Sequence, residues 1–590
     1  MSGKVKSNKQ GIYIGIYHGH NATVAVVNDN GEVIEVVSEE RFCNQKNFFG
    51  FPKLSLEYVL KTYKTSQIKG VGLPFNGLNP IYISSAGSIN KYITILINVL
   101  TQVRFVLLLT NRSFYNFLYS VYNKYIGSYS ILKQRQYISS LLNIDIGKVK
   151  DFNHQLCHAY CAYYLSPFNK ENALVLTLDG EGDGLCATVN TVLNGEFNTI
   201  AKTPLGNSLG WMYMNLTEFM GMKANEHEYK IMGLAPYAKE EHAQVIFNKI
   251  KDWITVEGLV FKSKFDTHLT FHYLKKELSY IRFDNLAAGF QMLLEERVAE
   301  WVNNCVAETG LATVCGGGGV FMNVKANMTV SKLNAVEKMW IMPSGGDESS
   351  PIGAALLSYK DDLLEAQQDF VVAPLKTLYL GPSYTNAQIA TFIKKHKIAS
   401  KYNVSFESNI EKKIAKLLAS GEIVANLSGR MEWGARALGN RSILADPSKP
   451  DVIREINEYV KNRDFWMPFA GSIIEERSQD YIINPKNIAS DYMVMAFEST
   501  DLAKSELRSA MHPYDFTIRP QLVRKNWNPR YHKILKEFEK ITGIGGVLNT
   551  SFNLHGYPIV LGPKEALFVF ENCDIRYLVL ENYIISKDPS

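Results

Sequence analysis

Three segments of the chain pair a short apolar run with a glycine-containing bend, and this repeated arrangement restricts the fold more than any other feature. Residues 12–17 lead into His18-Gly19-His20, residues 173–178 lead into Asp179-Gly180, and residues 311–314 lead into Gly316-Gly317-Gly318-Gly319. Short apolar runs bounded by glycine are typical of buried strands. Glycine also lets a backbone approach a phosphate, and neighbouring acidic side chains can hold a cation. The pattern therefore predicts an α/β protein with a nucleotide cleft between two lobes.

The charge balance argues against one large class of partner. The 590 residues include 63 Lys and Arg against 58 Asp and Glu, which gives a net charge of +5. Because binding to a phosphate backbone requires clustered basic residues, this balance predicts no nucleic-acid partner. The hydrophobic fraction of 46% and the charged fraction of 21% are those of a globular chain, so intrinsic disorder is excluded as well.

The cysteines and the apolar segments predict a location in the cytoplasm. Seven cysteines without a paired spacing favour reduced thiols. The polar residues 1–10 do not resemble a secretory signal. Polar side chains interrupt the apolar stretch 93–109, which we therefore interpret as a buried or groove-covering helix and not as a membrane span. We expect no membrane partner.

A change of pattern near residues 358–373 predicts a domain boundary. A charged helix there is followed by Pro374 and Pro382. Downstream, apolar strands such as 423–426 alternate with helices such as 451–460, which is typical of a separate α/β unit. We therefore expect an N-terminal domain over residues 1–360, a linker over 361–373 and a C-terminal domain over 374–590.

Two histidines one helical turn apart give the sharpest local signal. His154 and His158 would lie about 40° apart on a helix, so both imidazoles could reach one metal ion. Asp179 and Asp347 lie in glycine-flanked loops and could complete the ligand set. Imidazole and carboxylate ligands without an obligatory thiolate favour iron, zinc or manganese. The alternative is that the two histidines pack and cap a core helix.

A cluster of arginines gives a second signal. Residues 429–442 contain three arginines, Arg436 among them, surrounded by glycine and alanine. Because a guanidinium group can bind phosphate or carboxylate through two hydrogen bonds, the cluster predicts a pocket for an anionic substrate. Arg463 and Arg519 are further candidates. The alternative is a surface of ordinary salt bridges, which are abundant in proteins.

Read together and in order, these motifs resemble those of the O-carbamoyltransferases of antibiotic, nodulation-factor and toxin biosynthesis. The resemblance covers nearly the whole chain. Its motifs are His18-Gly19-His20-Asn21-Ala22, Glu40-Arg41-Phe42 with Lys46, the pair His154 and His158, residues 178–183, residues 228–237, the glycine loop with Asn323, Asp347 with residues 352–355, residues 430–446 and residues 549–553.

The resemblance implies both a fold and a reaction. It implies an N-terminal, two-lobed, actin-like (ASKHA) ATPase-type domain and a C-terminal YrdC-like α/β domain, similar to threonylcarbamoyl-AMP synthase. The C-terminal domain would join carbamate from carbamoyl phosphate to AMP from ATP. The N-terminal domain would then transfer the carbamoyl group to a hydroxyl of a small secondary metabolite. ATP and carbamoyl phosphate would be co-substrates, with Mg²⁺ accompanying ATP.

The resemblance also implies roles for individual residues. His18 would be the general base for the acceptor hydroxyl, and Lys46 would stabilise negative charge on the leaving group or the carbamoyl oxygen. The remaining roles are metal binding by His154, His158, Asp347 and Asp179, with Fe(II) favoured over Mn or Zn; nucleotide binding by Gly317, Gly318, Asn323, Asp179 and Gly180; and carbamoyl-phosphate binding by Arg436, Arg463, Arg519 and His555, the last at a position where some members carry arginine.

Several alternatives stay open at the level of sequence. An actin-fold small-molecule kinase, a tRNA-type carbamoyl transfer and a non-catalytic ATP-binding partner share parts of the pattern. The acceptor is not specified by the sequence, although a guanidinium alkaloid of the saxitoxin type is among the acceptors that the resemblance suggests. A homodimer is an expectation from the resemblance alone.

Overall fold

The computed structural model describes residues 10–75, 128–461 and 463–587. The helix predicted at residues 93–109 lies outside these residues. Within the described part of the chain, no helix is both long and apolar enough to cross a membrane.

The N-terminal half contains two five-stranded sheets with the same strand order. The sheets are β4-β3-β1-β6-β7 and β10-β9-β8-β13-β14, and in each the first three strands are antiparallel while the last two run parallel to the central strand. This duplication confirms the predicted two-lobed, actin-like arrangement. The strands are β1 Ile12–Tyr17, β2 Gly19–His20, β3 Thr23–Asn28, β4 Val33–Ser38, β5 Phe49–Gly50, β6 Ile68–Leu73, β7 Val149–Asp151, β8 Ala173–Gly182, β9 Leu185–Leu193, β10 Glu196–Pro204, β11 Ile254–Glu257, β12 Val260–Ser263, β13 Thr313–Gly317 and β14 Lys338–Ile341.

The three predicted strand-and-glycine segments are confirmed as β1, β8 and β13. All three are buried, and each ends at a loop of the site described below. The helices of this half are Glu39–Cys43, Lys53–Thr62, Ser128–Leu142, His154–Tyr164, Leu209–Phe219, Glu228–Leu234, Glu240–Ile250, Thr270–Glu277, Phe283–Thr309, Val324–Ser331 and Ser350–Glu365.

Two helices join the lobes. The helix His154–Tyr164 packs on β8 and β13, and the helix Ser350–Glu365 packs on it and on β1, β3 and β6. The helix His154–Tyr164 buries nearly all of its residues, and the helix Ser350–Glu365 buries the residues of its first three turns. Apolar side chains therefore fill the space between the two helices. The second helix runs to Glu365, past residue 360, and the predicted boundary itself stays a prediction.

The C-terminal half is a second α/β unit, built on one eight-stranded mixed sheet with the order β15-β24-β23-β16-β17-β22-β18-β21. The predicted strand at residues 423–426 is observed as β16. Its strands are β15 Asn403–Phe406, β16 Val424–Leu427, β17 Arg441–Ala445, β18 Ala470–Ile474, β19 Ile482–Ile483, β20 Glu498–Ser499, β21 Gln521–Val523, β22 Gly546–Ser551, β23 Tyr577–Leu580 and β24 Tyr583–Ser586. Its helices are Asn386–Lys395, Ile410–Ala419, Val452–Ile456 with the π-helical turn Asn457–Lys461, Ser478–Tyr481, Asp501–Glu506, Pro529–Thr542 and Pro563–Glu571.

Candidate functional site

Two histidines and two aspartates form a buried cluster between the lobes. His154 and His158 lie at the start of their helix, because Asn153 caps it by accepting a hydrogen bond from the Leu156 N–H. The helix places the two Nε2 atoms 3.0 Å apart. Asp179 comes from β8 and Asp347 from the turn before the helix Ser350–Glu365. One ligand atom from each of the four residues lies within 4.8 Å of every other.

The spacing of these four atoms fits a shared metal ion. His154 Nε2 lies 3.2 Å from Asp179 Oδ2 and 3.3 Å from Asp347 Oδ1, and the corresponding distances from His158 Nε2 are 3.7 and 3.5 Å. Ligand atoms at about 2.1 Å from one ion are separated by roughly 3.0–3.4 Å, so an ion could lie among them. A set of two imidazoles and two carboxylates suits iron, zinc or manganese.

Residues outside the cluster hydrogen-bond to all four of its ligands, and His158 Nδ1 lies 3.4 Å from Ser349 Oγ. His154 Nδ1 lies 3.3 Å from the Pro74 carbonyl oxygen, which leaves Nε2 free to face the cluster. The Gly319 N–H donates to Asp179 Oδ1 at 3.1 Å. The Tyr17 hydroxyl donates to Asp347 Oδ2 at 2.5 Å. Such outer contacts fix the tautomer and orientation of metal ligands, so they support the assignment of a metal centre.

The pKa values of side chains in the cluster are strongly shifted. Burial alone would raise the pKa of Asp347, but His154 and His20 outweigh burial and hold it well below its usual range. Burial lowers the pKa of His154, yet Asp347 and Asp179 reverse that effect and raise it well above the ordinary value. The two carboxylates therefore stay charged and require positive charge between them, from protons or from a metal ion.

A single cavity of 640 Å³ connects this cluster with the C-terminal half. Tyr17, His20, Asp179 and Asp347 line it. Arg436, Arg463 and Arg519 line it as well. The predicted metal and anion sites thus line one cavity. Some of their residues lie more than 250 positions apart in the sequence.

The three arginines of the cavity have no carboxylate within ion-pairing distance among the described residues. Within the described residues, none of Arg436, Arg463 and Arg519 forms an ion pair, although all three side chains are partly withdrawn from solvent. Burial lowers the pKa of each guanidinium, and for Arg519 the other two arginines lower it further. Buried charge without a partner is costly, so this arrangement fits a site that an anion completes.

The glycine loops contribute a third part of the cavity wall. Gly180, Gly319 and Asn323 line the cavity, whereas Gly317 and Gly318 lie in the same loop behind that surface. Gly318 has a φ of +101°, and a Cβ there would lie 2.4 Å from the Leu178 carbonyl oxygen. The loop can follow this path only with glycine at that position.

His20, which the sequence analysis did not select, occupies the place expected for His18. His20 lines the cavity, its side chain is 40% exposed, and its Nε2 lies 3.5 Å from Asp347 Oδ2. His18 is buried outside the cavity lining, 3.1 Å from Gln134 Nε2, and burial lowers its pKa to about 3. The role predicted for His18 remains a prediction. The motif identified the correct loop but carried no signal for which imidazole faces the cavity.

Lys46 and His555 differ in their placement. Lys46 lines the cavity, and its Nζ lies 3.0 Å from Glu226 Oε1. Burial raises the pKa of Glu226, but Lys223 and Lys46 outweigh that effect and lower it to about 2. His555 is exposed and is not among the residues that line the cavity, although nearby Asn553 is. Its predicted contact with carbamoyl phosphate stays a prediction.

Comparison with known proteins identifies the family. The model of the carbamoyltransferase N-terminus matches residues 11–356, and that of the carbamoyltransferase C-terminus matches residues 415–587. The chain belongs to the carbamoyltransferase family. The predicted class of enzyme, a transferase of carbamoyl groups, is confirmed.

Individual relatives are distant in sequence, but the similarity extends over most of this chain. An uncharacterized protein of Methanocaldococcus jannaschii is 30% identical and covers 95% of this chain and 94% of its own length. Nodulation protein NolNO of Sinorhizobium fredii is 29% identical over 75% of this chain and 65% of its own. Among solved structures, HypF of T. kodakarensis is 11% identical, with a TM-score of 0.33 over 61% of this chain and 48% of that one. That last likeness is too weak to bear on the fold, which rests on the duplicated sheets.

Proposed function

We propose that the chain is an ATP-dependent O-carbamoyltransferase that forms carbamoyl-adenylate from carbamoyl phosphate and ATP. The carbamoyl group is then transferred to a hydroxyl of a small secondary metabolite. One observation carries the proposal: a single cavity is lined both by three half-buried arginines without an ion-pair partner among the described residues and by a cluster of metal-ligand type. The first feature suits an anionic donor and the second suits activation of a transfer step.

The part of the cavity that the three arginines line is the proposed site of adenylation. Arg436, Arg463 and Arg519 would bind the phosphate of carbamoyl phosphate through charge-assisted hydrogen bonds. Water would cleave carbamoyl phosphate to carbamate and phosphate, and the carbamate oxygen would attack the α-phosphorus of ATP and expel pyrophosphate. Gly180, Gly319 and Asn323 line the cavity and would contact the nucleotide there or after it moves toward the histidine and aspartate cluster.

The continuity of the cavity matters because carbamoyl-adenylate reacts with water. A path that stays inside the protein limits this side reaction. Residues of both halves line the path. The intermediate would therefore pass from the arginines toward the histidine and aspartate cluster without release.

The part of the cavity beside the histidine and aspartate cluster is the proposed site of transfer. His20 would accept the proton of the acceptor hydroxyl, because it lines the cavity beside Asp347 and imidazole is the commonest general base. Lys46 would stabilise the negative charge that develops as AMP leaves. His154, His158, Asp179 and Asp347 would hold a divalent metal ion, Fe(II) in preference to Mn or Zn. When bound, such an ion supplies Lewis-acid polarisation of a carbonyl or phosphoryl oxygen.

The class of acceptor is the least constrained part of the proposal. A hydroxylated small molecule fits the dimensions of the cavity. A saxitoxin-type guanidinium alkaloid is one acceptor to test among others. Incorporation of label from carbamoyl phosphate into a single member of an acceptor panel would identify the natural chemistry.

The nucleotide product of the purified protein tests the proposed reaction before any acceptor is known. ATP is incubated with the metal-loaded protein, with and without carbamoyl phosphate, and the products are separated. Release of AMP and pyrophosphate that depends on carbamoyl phosphate supports the proposal. ADP as the sole nucleotide product would instead indicate a kinase-like reaction.

A further inference from the structure

One peptide unit of the arginine loop, residues 429–442, accepts a hydrogen bond from one side chain of the N-terminal half and donates a hydrogen bond to another. This is the peptide bond between Gly434 and Ala435, immediately before Arg436. The Arg41 guanidinium donates through Nη2 to the Gly434 carbonyl oxygen at 2.8 Å. The Ala435 N–H donates to Ser344 Oγ at 3.0 Å. The orientation of this peptide is therefore set by two side chains from the other half of the molecule.

The two loops also approach each other closely at this point. Gly434 has a φ of +101°, and a Cβ there would lie 2.7 Å from Ser344 Cβ. Ser344 itself has a φ of +52°, which is uncommon for a residue with a side chain. Unfavourable backbone conformations persist only where the surroundings enforce them, and they concentrate at functional sites.

Ser344 links this peptide to the metal-ligand cluster. Its hydroxyl donates to Glu348 Oε1 at 2.5 Å, and Glu348 directly follows Asp347. Both acidic residues are buried. A continuous set of contacts therefore runs from Arg436 through the held peptide and Ser344 to the turn that carries Asp347.

Arg41 has one buried donor without a hydrogen-bond partner among the described residues. Its side chain is 3% exposed, its Nε lies 3.2 Å from Glu40 Oε1, and it lines the cavity. Within the described residues, its buried Nη1 has no hydrogen-bond partner. A buried donor without a partner is unfavourable, so the surrounding contacts hold the Arg41 side chain in place at the cost of one unpaired donor.

We propose that Arg41 and Ser344 are positioning residues that fix Arg436 relative to Asp347 and thereby couple the anion pocket to the metal cluster. This inference rests on the proposed function and adds a property to it. An anion that binds Arg436 moves or stiffens the peptide, and Ser344 passes that change to the turn with Asp347. Because coupling between two sites is reciprocal, a metal ion in the cluster alters the affinity of the anion pocket by the same factor.

Titration calorimetry with carbamoyl phosphate measures this coupling. The full-length protein is titrated without metal and after loading with Co(II), and the ratio of the two dissociation constants is the coupling factor. For the wild type we expect at least about a fivefold ratio. For Ser344→Ala and for Arg41→Lys, which keeps the charge but loses the planar fork, we expect less than about twofold.

Ser166→Ala is the matched control, because Ser166 is also buried and hydrogen-bonded but lies away from the cavity lining. It should keep the wild-type ratio. A wild-type ratio in correctly folded Ser344→Ala or Arg41→Lys would overturn the inference. So would a ratio near one in the wild type. Since two variants probe it, misfolding of one leaves the other decisive. Failure of the proposed function is distinguishable, because it appears as a lack of carbamoyl-phosphate-dependent AMP release by the wild type.

Discussion

His18 and His20 lie two residues apart and experience opposite environments. β1 ends at Tyr17 and β2 begins at Gly19, so the chain turns between them. His18 is directed into the core and His20 into the cavity. The same short motif therefore carries one imidazole that is buried and one that lines the cavity.

The buried His18 predicts a loss of stability in mild acid. Burial lowers its pKa from 6.5 to about 3, so the unfolded chain binds this proton before the folded chain does. The stabilising effect of neutral His18 is complete above about pH 6.5 and declines as the pH falls toward 3. Urea unfolding of His18→Gln between pH 7.5 and 5 should show a shallower decline than the wild type. His242→Gln, at an exposed histidine, should follow the wild type, and parallel curves for all three would contradict the assignment.

Replacement of His20 should affect transfer and spare stability. His20→Ala removes the proposed general base, which contributes about 10²–10⁴-fold to the rate of such reactions. The side chain is partly exposed, so the free energy of unfolding should change little. The check is the rate at which label from carbamoyl phosphate reaches the acceptor found in the panel. Equal transfer rates for His20→Ala and the wild type would assign the base elsewhere.

At the scale of elements, neighbouring strands and turns hold the proposed metal ligands through outer hydrogen bonds. Tyr17→Phe removes only the hydroxyl that donates to Asp347 Oδ2. Loss of an outer-shell contact typically reduces metal affinity 10–100-fold, and we expect about that effect here. Competition with a chelator measures it. Tyr163→Phe is the control, because its hydroxyl donates to the Glu171 carbonyl oxygen and does not line the cavity. Similar affinities for both variants would contradict the metal assignment.

The unpaired arginines of the cavity should lower the stability of the fold while they favour binding of an anion. Arg519→Met removes a half-buried charge that has no ion-pair partner among the described residues, so we expect the free energy of unfolding to rise slightly. Binding of carbamoyl phosphate should be lost in the same variant. Arg297→Met should instead destabilise, because that buried guanidinium donates to the carbonyl oxygens of Ile254 and Lys251 and pairs with Glu300. Denaturant unfolding measures the stability of each variant, and titration calorimetry measures its binding of carbamoyl phosphate. A destabilised Arg519→Met would contradict the interpretation that Arg519 lacks a compensating partner.

The sequence predicted elements better than contacts between them. The strands at β1, β8 and β13 follow from apolar runs bounded by glycine, and the spacing of His154 and His158 follows from helical geometry. The orientation of His18 and His20 does not, because it depends on where β1 stops. The contribution of Tyr17 and Ser344 also could not be predicted, since each acts through a residue more than 80 positions away.

At the scale of the whole molecule, the cavity is the property that no local pattern contains. The sequence analysis predicted a metal site and an anion site as separate features, and their connection depends on how the two halves pack. Contacts such as Arg41 with Gly434, and Ser344 with Ala435, join the halves beside the cavity. Packing of the two halves thus places residues from two sets of motifs around one cavity.

The most direct test of this account measures AMP release by three proteins supplied with ATP and carbamoyl phosphate. The wild type and His154→Ala should both release AMP, because adenylation is assigned to the arginines of the cavity. Arg519→Met should release none. ADP as the only product of the wild type, or AMP release that survives Arg519→Met, would contradict the assignment of the two steps to the two parts of one cavity.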